Sequence, residues 1–187
     1  MSDPQRWQTS FAGAYRVAPH ELRNRLRAIA GATVEEALSD LGRGEIGGNN
    51  RGRYVWSRAG RRTSGPWCAA AVYAWLLRAC DSLGYVVPFE RTHSARELGR
   101  RWAAVGRWLD DGEEPVRGDL VVWARAGTST SRRLRGPGHV GIVTAVDGGG
   151  YRSVEGNVGG FPARVDVFAH PTAESRRVGF ARLWQSG

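Results

Sequence analysis

The sequence predicts an α+β domain in which helices from the first half of the chain pack on an antiparallel sheet formed by the second half. Two observations predict it. Apolar residues recur at helical spacing up to about residue 105, and beyond it they alternate or form short runs separated by turns. A length of 187 residues fits a single domain with its own core. We therefore expect residues 1–18 to form an N-terminal arm and residues 19–187 to form one domain.

The first helix is predicted from a stripe of apolar side chains that follows His20. Its members recur at three, four or five residues: Leu22, Leu26, Ile29, Val34, Leu38 and Leu41. Gly31 interrupts the stripe, and we expect the helix to break there. The next segment, residues 42–52, is rich in glycine and asparagine and predicts turns.

Two more helices are predicted from their terminal residues. Pro66 suits the first turn of a helix that ends at Gly84, and this start places Cys68 at the third helical position. Ser94 is a good N-cap for a short helix that ends at Val105. The apolar stretch 67–77 is too short to cross a bilayer, so we interpret it as part of a buried helix.

Six strands are predicted in the second half of the chain: Arg107–Leu109, Asp119–Ala124, Val140–Val146, Tyr151–Glu155, Arg164–Phe168 and Val178–Leu183. The tetrapeptide Asp147-Gly148-Gly149-Gly150 predicts a hairpin between the third and fourth strands. A polar loop over residues 125–138 separates the second and third strands, and it either shapes a groove or lies in solvent.

The chain is strongly basic, with a formal net charge of +9 in which arginine supplies every basic side chain. Such a surface favours anionic partners, for example cell-wall polymers, membranes or nucleic acid. Because the arginines are spread along the whole sequence, we expect no specific nucleic-acid site, and because no apolar run approaches about 18 residues, we expect no membrane span. Residues 1–10 lack the apolar core of a secretory signal, so we expect synthesis in the cytoplasm without a cleaved leader.

The two cysteines, Cys68 and Cys80, are predicted to remain free thiols. A continuous helix would separate them by roughly 18 Å, whereas a disulfide needs Cα atoms within about 7 Å. The cysteines and histidines show no zinc-ligand spacing, so we predict no metal.

Cys68 is a candidate nucleophile because it lies in the first turn of its helix. The free N–H groups and positive dipole end there lower the pKa of a thiol, and the backbone N–H of Cys68 is suited to an oxyanion hole. The alternative is a small buried apolar side chain, which we favour for Cys80.

His139 is the candidate base, because it begins a strand directly after the glycine-rich turn 136–138. A side chain at that strand edge can face a cleft while its backbone stays fixed. His20, His93 and His170 are better explained by surface or capping roles.

The neighbouring strand offers groups that could orient His139. His139 lies nine residues before the centre of the hairpin, and Glu155 and Asn157 lie seven and nine residues after it, so all three reach the same edge of the sheet. Glu155 could instead pair with an arginine, and Asn157 could be a turn residue.

Four segments in this order resemble the CHAP family of cysteine- and histidine-dependent amidohydrolases and peptidases. Residues 65–70 (GPWCAA) resemble its nucleophile motif, residues 115–122 (PVRGDLVV) a strand entry, residues 138–143 (GHVGIV) the histidine strand, and residues 155–157 (EGN) the strand after it. The upstream segment 44–52 is also similar, and the resemblance spans about residues 20–184.

The resemblance implies a papain-like α+β fold and hydrolysis of an amide bond in peptidoglycan. Cys68 would attack the carbonyl, His139 would transfer the proton, and Glu155 would orient His139 with help from Asn157. Gly138, beside the base, is a candidate substrate contact. Trp67, beside the nucleophile, is a candidate for a wall of the substrate groove, with packing into the core as the alternative. Several relatives bind calcium through closely spaced aspartates upstream of the nucleophile, but this chain has none there, so we predict no cofactor.

Several functions are compatible with these residues. The first is an N-acetylmuramoyl-L-alanine amidase or a stem-peptide or cross-bridge endopeptidase. It would act on the wall as a phage lysin, a phage tail component or an injected antibacterial effector, in the last case with an immunity protein as partner. The alternatives are a papain-like toxin that acts on protein amides, as a deamidase or isopeptidase, and a non-catalytic wall-binding module.

Overall fold

Four helices precede six strands in the part of the chain that the computed structural model describes, namely residues 19–60, 62, 65–87, 89–110, 112–125 and 136–183. The helices are α1 (Pro19–Leu38), α2 (Arg53–Ala59), α3 (Cys68–Ser82) and α4 (Ala95–Val105). The predicted order of helices and strands is therefore confirmed. The arm 1–18 and most of the loop 125–138 lie outside the described residues.

The first helix does not break at Gly31, as the sequence suggested, but continues through it to Leu38. Ile29 and Val34, on either side of the glycine, are completely buried against the rest of the core. This packing outweighs the low helix propensity of one glycine. The short helix α2 was not predicted, because its seven residues lie between Gly52 and Gly60 in a region dominated by turn signals.

The six strands form one antiparallel sheet in the order β1-β6-β2-β3-β4-β5. Their bounds are β1 (Arg107–Trp108), β2 (Leu120–Ala124), β3 (Gly138–Asp147), β4 (Gly150–Val158), β5 (Arg164–Pro171) and β6 (Arg177–Arg182). Each predicted strand is present, and β3, β4 and β5 are longer than predicted. The glycine-rich hairpin pairs Asp147 with Gly150 and aligns Gly141 with Glu155, which fixes the register on which the site depends.

Helix α3 is the central helix, and eleven of its fifteen residues are buried. Its first turn approaches β4 very closely, because a Cβ atom at Gly156 would lie 2.9 Å from both the Trp67 ring and the Ala71 side chain. Glycine at position 156 therefore allows the start of α3 to lie directly on the sheet. None of the described helices combines the length and the apolar character that a bilayer span requires.

Asp40, two residues after the end of α1, joins α1 to α2 and α3. Its buried carboxylate accepts hydrogen bonds from Tyr54, Arg58, Trp75 and Arg78. Burial by itself raises the pKa of Asp40, but these donors outweigh it and lower the pKa below its ordinary value. The carboxylate thus stays ionised and fixes α3 relative to α1 and α2.

Candidate active site

Cys68 is the first residue of α3, two positions earlier in the helix than predicted, because the helix begins after Trp67 and not at Pro66. Its thiol is almost fully buried, with 2 % of the residue exposed. It forms part of the wall of a cleft of about 380 Å³ whose lining also includes His93, Arg125 and Gly138. A larger cavity of about 630 Å³ lies between α2 and the start of β5, and neither Cys68 nor His139 lines it.

His139 lies on β3 opposite Trp123 of β2, and the two rings are 5.6 Å apart at an angle of 30°. The imidazole forms hydrogen bonds on both sides. Its Nε2 is 2.7 Å from Glu155 Oε2, and it is also hydrogen-bonded to the thiol of Cys68. Because Nε2 is bound to Glu155, Nδ1 is the nitrogen left to face the sulfur.

Glu155 lies on β4 with 4 % of its surface exposed. Its register partner on β3 is Gly141, and a Cβ atom there would lie 2.7 Å from Glu155 Cγ. The glycine two residues after His139 therefore leaves space for the Glu155 side chain to reach along β3 to the imidazole. The structure brings Cys68, His139 and Glu155 together in that order.

The electrostatics of the three groups favour a thiolate–imidazolium pair. Burial raises the pKa of Cys68, but the hydrogen bond and positive charge of His139 outweigh it and lower the pKa, with further help from Arg125 and the Ala69 N–H. Burial lowers the pKa of His139, but hydrogen bonds to Cys68 and Glu155 raise it to about 10. The thiol is thus prepared to act as a nucleophile, with its proton held on the imidazole.

The pKa of Glu155 moves in the direction that supports this pair. Burial raises it, whereas hydrogen bonds from His139, His170 and Ser153 lower it to about 2. The carboxylate is therefore ionised over the whole physiological range and balances the imidazolium.

The remaining predicted site residues have different positions. Gly138 lines the cleft beside Cys68, and its role as a substrate contact remains a prediction. Asn157 is half-buried with φ 65°, at an irregularity in the β4–β5 ladder, and no hydrogen bond joins it to His139 among the described residues. Its expected role as a helper remains a prediction.

The prediction that Trp67 forms a wall of the groove is wrong, because its indole has no exposed surface. The ring packs edge-on against Tyr54 at 5.8 Å, and its Nε1–H donates to Glu45 at 3.2 Å. Its position next to the nucleophile reflects the packing of α3 into the core.

His170 was expected to be a surface or capping residue, and the structure corrects this. It lies on β5 with its Nε2 2.8 Å from Glu155 Oε1, on the opposite side of the carboxylate from His139. The predicted strand ended at Phe168, three residues too early. Extending the predicted strand by two residues would have placed His170 on the sheet beside Tyr151, its partner in the β4–β5 ladder.

Ser153 completes this arrangement, and its hydroxyl donates to Glu155 Oε1 at 2.6 Å. The sequence signal for it was its spacing, because side chains two residues apart on a strand face the same side. No group of three or more histidine, cysteine or acidic side chains with the geometry to hold a metal occurs within the described ranges.

The sequence matches a known protein family. A family model described as "CHAP domain" matches residues 60–157. No curated protein matches the chain. Among solved structures, the crystal structure of Ly7917 is 24% identical, with 89% of this chain and 62% of that chain covered and a TM-score of 0.42. This chain thus spans less than two thirds of the length of that protein.

The family match covers just over half of the sequence and includes Cys68, His139 and Glu155. The family is generally one of cysteine- and histidine-dependent amidohydrolases and peptidases, which is the chemistry that these three side chains can perform. The protein therefore belongs to the CHAP domain family.

Proposed function

We propose that this protein hydrolyses an amide bond of bacterial peptidoglycan, with Cys68 as nucleophile, His139 as proton carrier and Glu155 as the group that orients His139. The observation that carries the proposal is the hydrogen-bonded series from Cys68 through His139 to Glu155, with the thiol in the wall of a cleft. The family match supports the choice of peptidoglycan, since CHAP domains typically act on it.

The first half of the reaction forms a thioester. The Cys68 thiolate attacks the amide carbonyl carbon, and the backbone N–H of Cys68, unpaired within the helix because it belongs to the first turn, is suited to stabilise the oxyanion. His139 Nδ1–H then transfers its proton to the leaving amine as the C–N bond breaks. Glu155 holds the ring through Nε2 during this transfer.

The second half returns the enzyme to its starting state. A water molecule attacks the thioester carbon while the now neutral His139 accepts its proton, and the C–S bond breaks to release the acyl group as a carboxylate. The thiolate of Cys68 and the imidazolium of His139 are regenerated. The two products are therefore one amine and one carboxylate, in equal amounts.

The amide cut is either the N-acetylmuramoyl-L-alanine bond or a bond of the stem peptide or cross-bridge. We also propose that the protein acts on the wall after leaving the cytoplasm, through phage lysis, a virion tail or injection. An immunity protein that covers the cleft would be the partner expected in the case of an injected effector.

The test is digestion of purified peptidoglycan, with the products identified by mass spectrometry. Wild type is expected to release fragments whose new termini identify the bond, and Cys68→Ala is expected to release none. Cys80→Ala is the matched control, because Cys80 lies in the same helix, away from His139, and is also buried. Failure of the wild type on several wall chemotypes would reject the proposal and make protein amides the next substrates to examine.

A further inference from the structure

His170 and His139 hold opposite oxygens of the Glu155 carboxylate. His170 Nε2 is 2.8 Å from Oε1, and His139 Nε2 is 2.7 Å from Oε2. Ser153 Oγ lies 2.6 Å from Oε1 and 3.0 Å from His170 Nε2, so the serine and the second histidine meet the same oxygen. Each oxygen of this buried carboxylate thus has its own donor or donors.

The geometry assigns the proton on His170. An ionised carboxylate only accepts hydrogen bonds, and the single hydroxyl proton of Ser153 is directed to Glu155. A bare Nε2 at 2.8 Å from Oε1 would set two acceptors against each other, so Nε2 of His170 must carry a proton. His170 is therefore a donor to Glu155.

The ring of His170 is held by three neighbouring side chains. It stacks on Tyr151 at 5.1 Å with an interplanar angle of 19°, and it packs against Trp123 at 5.0 Å. Glu174 accepts from Trp123 Nε1 at 2.7 Å and from the Tyr151 hydroxyl at 3.1 Å, which joins the two aromatic residues behind the imidazole. These contacts restrict the direction in which Nε2–H can point.

The charged groups around this ring come from several elements. Glu155 of β4 faces Nε2, and Glu174, after β5, has an oxygen 3.6 Å from Nδ1. Arg177 of β6 lies behind Tyr151, on the Phe180 ring. His170 is not among the described residues that line the cleft.

We propose that His170 is a positioning residue for the active site: its Nε2–H fixes Glu155 Oε1, so that Oε2 is held towards His139. It acts on His139 through Glu155. This inference rests on the proposed function for its turnover measurement, but not for its measurement of the thiol.

Loss of the Nε2–H donor has two expected effects. The carboxylate gains freedom to turn away from His139, so turnover falls while KM, which reflects the cleft, changes little. The buried anion also loses one of its stabilising donors, so Glu155 takes up a proton at a higher pH. The low-pH side of the Cys68 reactivity profile then shifts to higher pH, because a carboxylate that can turn away from His139 stabilises the imidazolium less.

The experiment compares His170→Phe with His170→Gln. Phenylalanine keeps a ring against Tyr151 and Trp123 but has no donor, whereas the glutamine amide can donate from nearly the same position as Nε2. His20→Gln on the exposed start of α1 is the matched control. The readouts are kcat and KM on purified peptidoglycan, the melting temperature, and the rate at which iodoacetamide modifies Cys68 between pH 4 and 9, followed by peptide mapping.

His170→Phe is expected to lower kcat by about 10- to 100-fold, to leave KM within about twofold, and to move the low-pH side of the alkylation profile up by roughly one unit or more. His170→Gln is expected to recover most of the loss. Wild-type kcat and an unshifted profile in folded His170→Phe would overturn the proposal, and so would equal losses in the two variants.

The proposal stays testable if His170→Phe does not fold or if the wild type digests no peptidoglycan. If His170→Phe does not fold, ¹⁵N spectra of histidine-labelled wild type decide the question: a protonated Nε2 on His170 supports the proposal, and an Nδ1–H tautomer with bare Nε2 overturns it. If the wild type digests no peptidoglycan, the alkylation profile still tests His170, so failure of the proposed function and failure of this inference are separate results.

Discussion

Substitution of Gly141 by alanine tests whether the position of Glu155 is essential. Gly141 lies directly opposite Glu155 in the β3–β4 ladder. The new Cβ would lie 2.7 Å from Glu155 Cγ and 3.0 Å from the Val154 carbonyl oxygen. Because hydrogen bonds of the ladder hold both backbones, the Glu155 side chain must move.

The size of the movement follows from these distances. Carbon atoms in contact lie about 3.5–4.0 Å apart, so Glu155 Cγ must retreat by about 1 Å. A similar shift of Oε2 lengthens its present 2.7 Å contact with His139 Nε2 beyond hydrogen-bond range. A displacement of about 1 Å at a catalytic group costs about 100-fold in rate, and the overpacking itself costs about 1–3 kcal/mol of unfolding free energy.

The assay is kcat on purified peptidoglycan, together with alkylation of Cys68 at neutral pH and urea unfolding. Gly148→Ala is the matched control, because it lies in the same hairpin and its added methyl group meets no atom within 4 Å. We expect a loss of about 100-fold for Gly141→Ala and wild-type values for Gly148→Ala. A folded Gly141→Ala protein with full activity and normal Cys68 reactivity would refute the assignment of Glu155.

Three further predictions concern stability and thiol reactivity. Gly31→Ala is expected to raise the unfolding free energy in urea by about 0.5–1 kcal/mol, because α1 runs through a position where a methyl group meets no neighbour. Asp40→Ala is expected to lower it by about 3 kcal/mol in the same assay, because two arginines lose their shared buried partner. Iodoacetamide is expected to modify Cys68 but not Cys80 near pH 6, as read by peptide mapping, because the pKa of Cys68 is lowered while burial raises that of Cys80 to about 12.

The Asp40 and cysteine predictions each have a further check. Asp166→Ala removes an exposed pair with Arg164 and is expected to cost at most about 1 kcal/mol. Since the folded-state pKa of Asp40 is lowered, its contribution is present above 3.8 and is lost as the pH falls below that value, so the difference between wild type and Asp40→Ala should narrow in acid. Equal alkylation of both cysteines at pH 6 would contradict the thiolate–imidazolium pair.

The catalytic residue types and their order could be predicted because each is tied to local chain geometry. A cysteine in the first turn of a helix, a histidine at the start of a strand and a carboxylate on the next strand of a tight hairpin are all readable from spacing. The two-residue turn of the hairpin sets the relative level of His139 and Glu155 to within one residue, and an irregularity between Val143 and Ala145 then shifts the register to the pairing of Gly141 with Glu155.

The other features of the site and core depend on side-chain packing, which the spacing of residues in the sequence does not reveal. Trp67 is an aromatic residue next to the nucleophile, as a groove wall would be. The close approach of α3 to Gly156 nevertheless places its ring inside the core. His170 lies on β5, two strands across the sheet from His139 on β3, and only the full length of β5 brings it to Glu155. Asp40 shows no sequence signal, because its donors come from two separate helices, α2 and α3.

The charge balance of the site explains why Glu155 has so many donors. Thiolate and imidazolium cancel each other, so the carboxylate leaves one negative charge in a site from which water is largely excluded. No arginine or lysine among the described residues pairs with Glu155; hydrogen bonds from His139, His170 and Ser153 stabilise it instead. A fixed cation beside Glu155 would weaken its support for the imidazolium, whereas dipolar donors keep the carboxylate ionised and leave its field directed at His139. The guanidinium of Arg125 acts on Cys68 from the wall of the cleft, where it favours the thiolate.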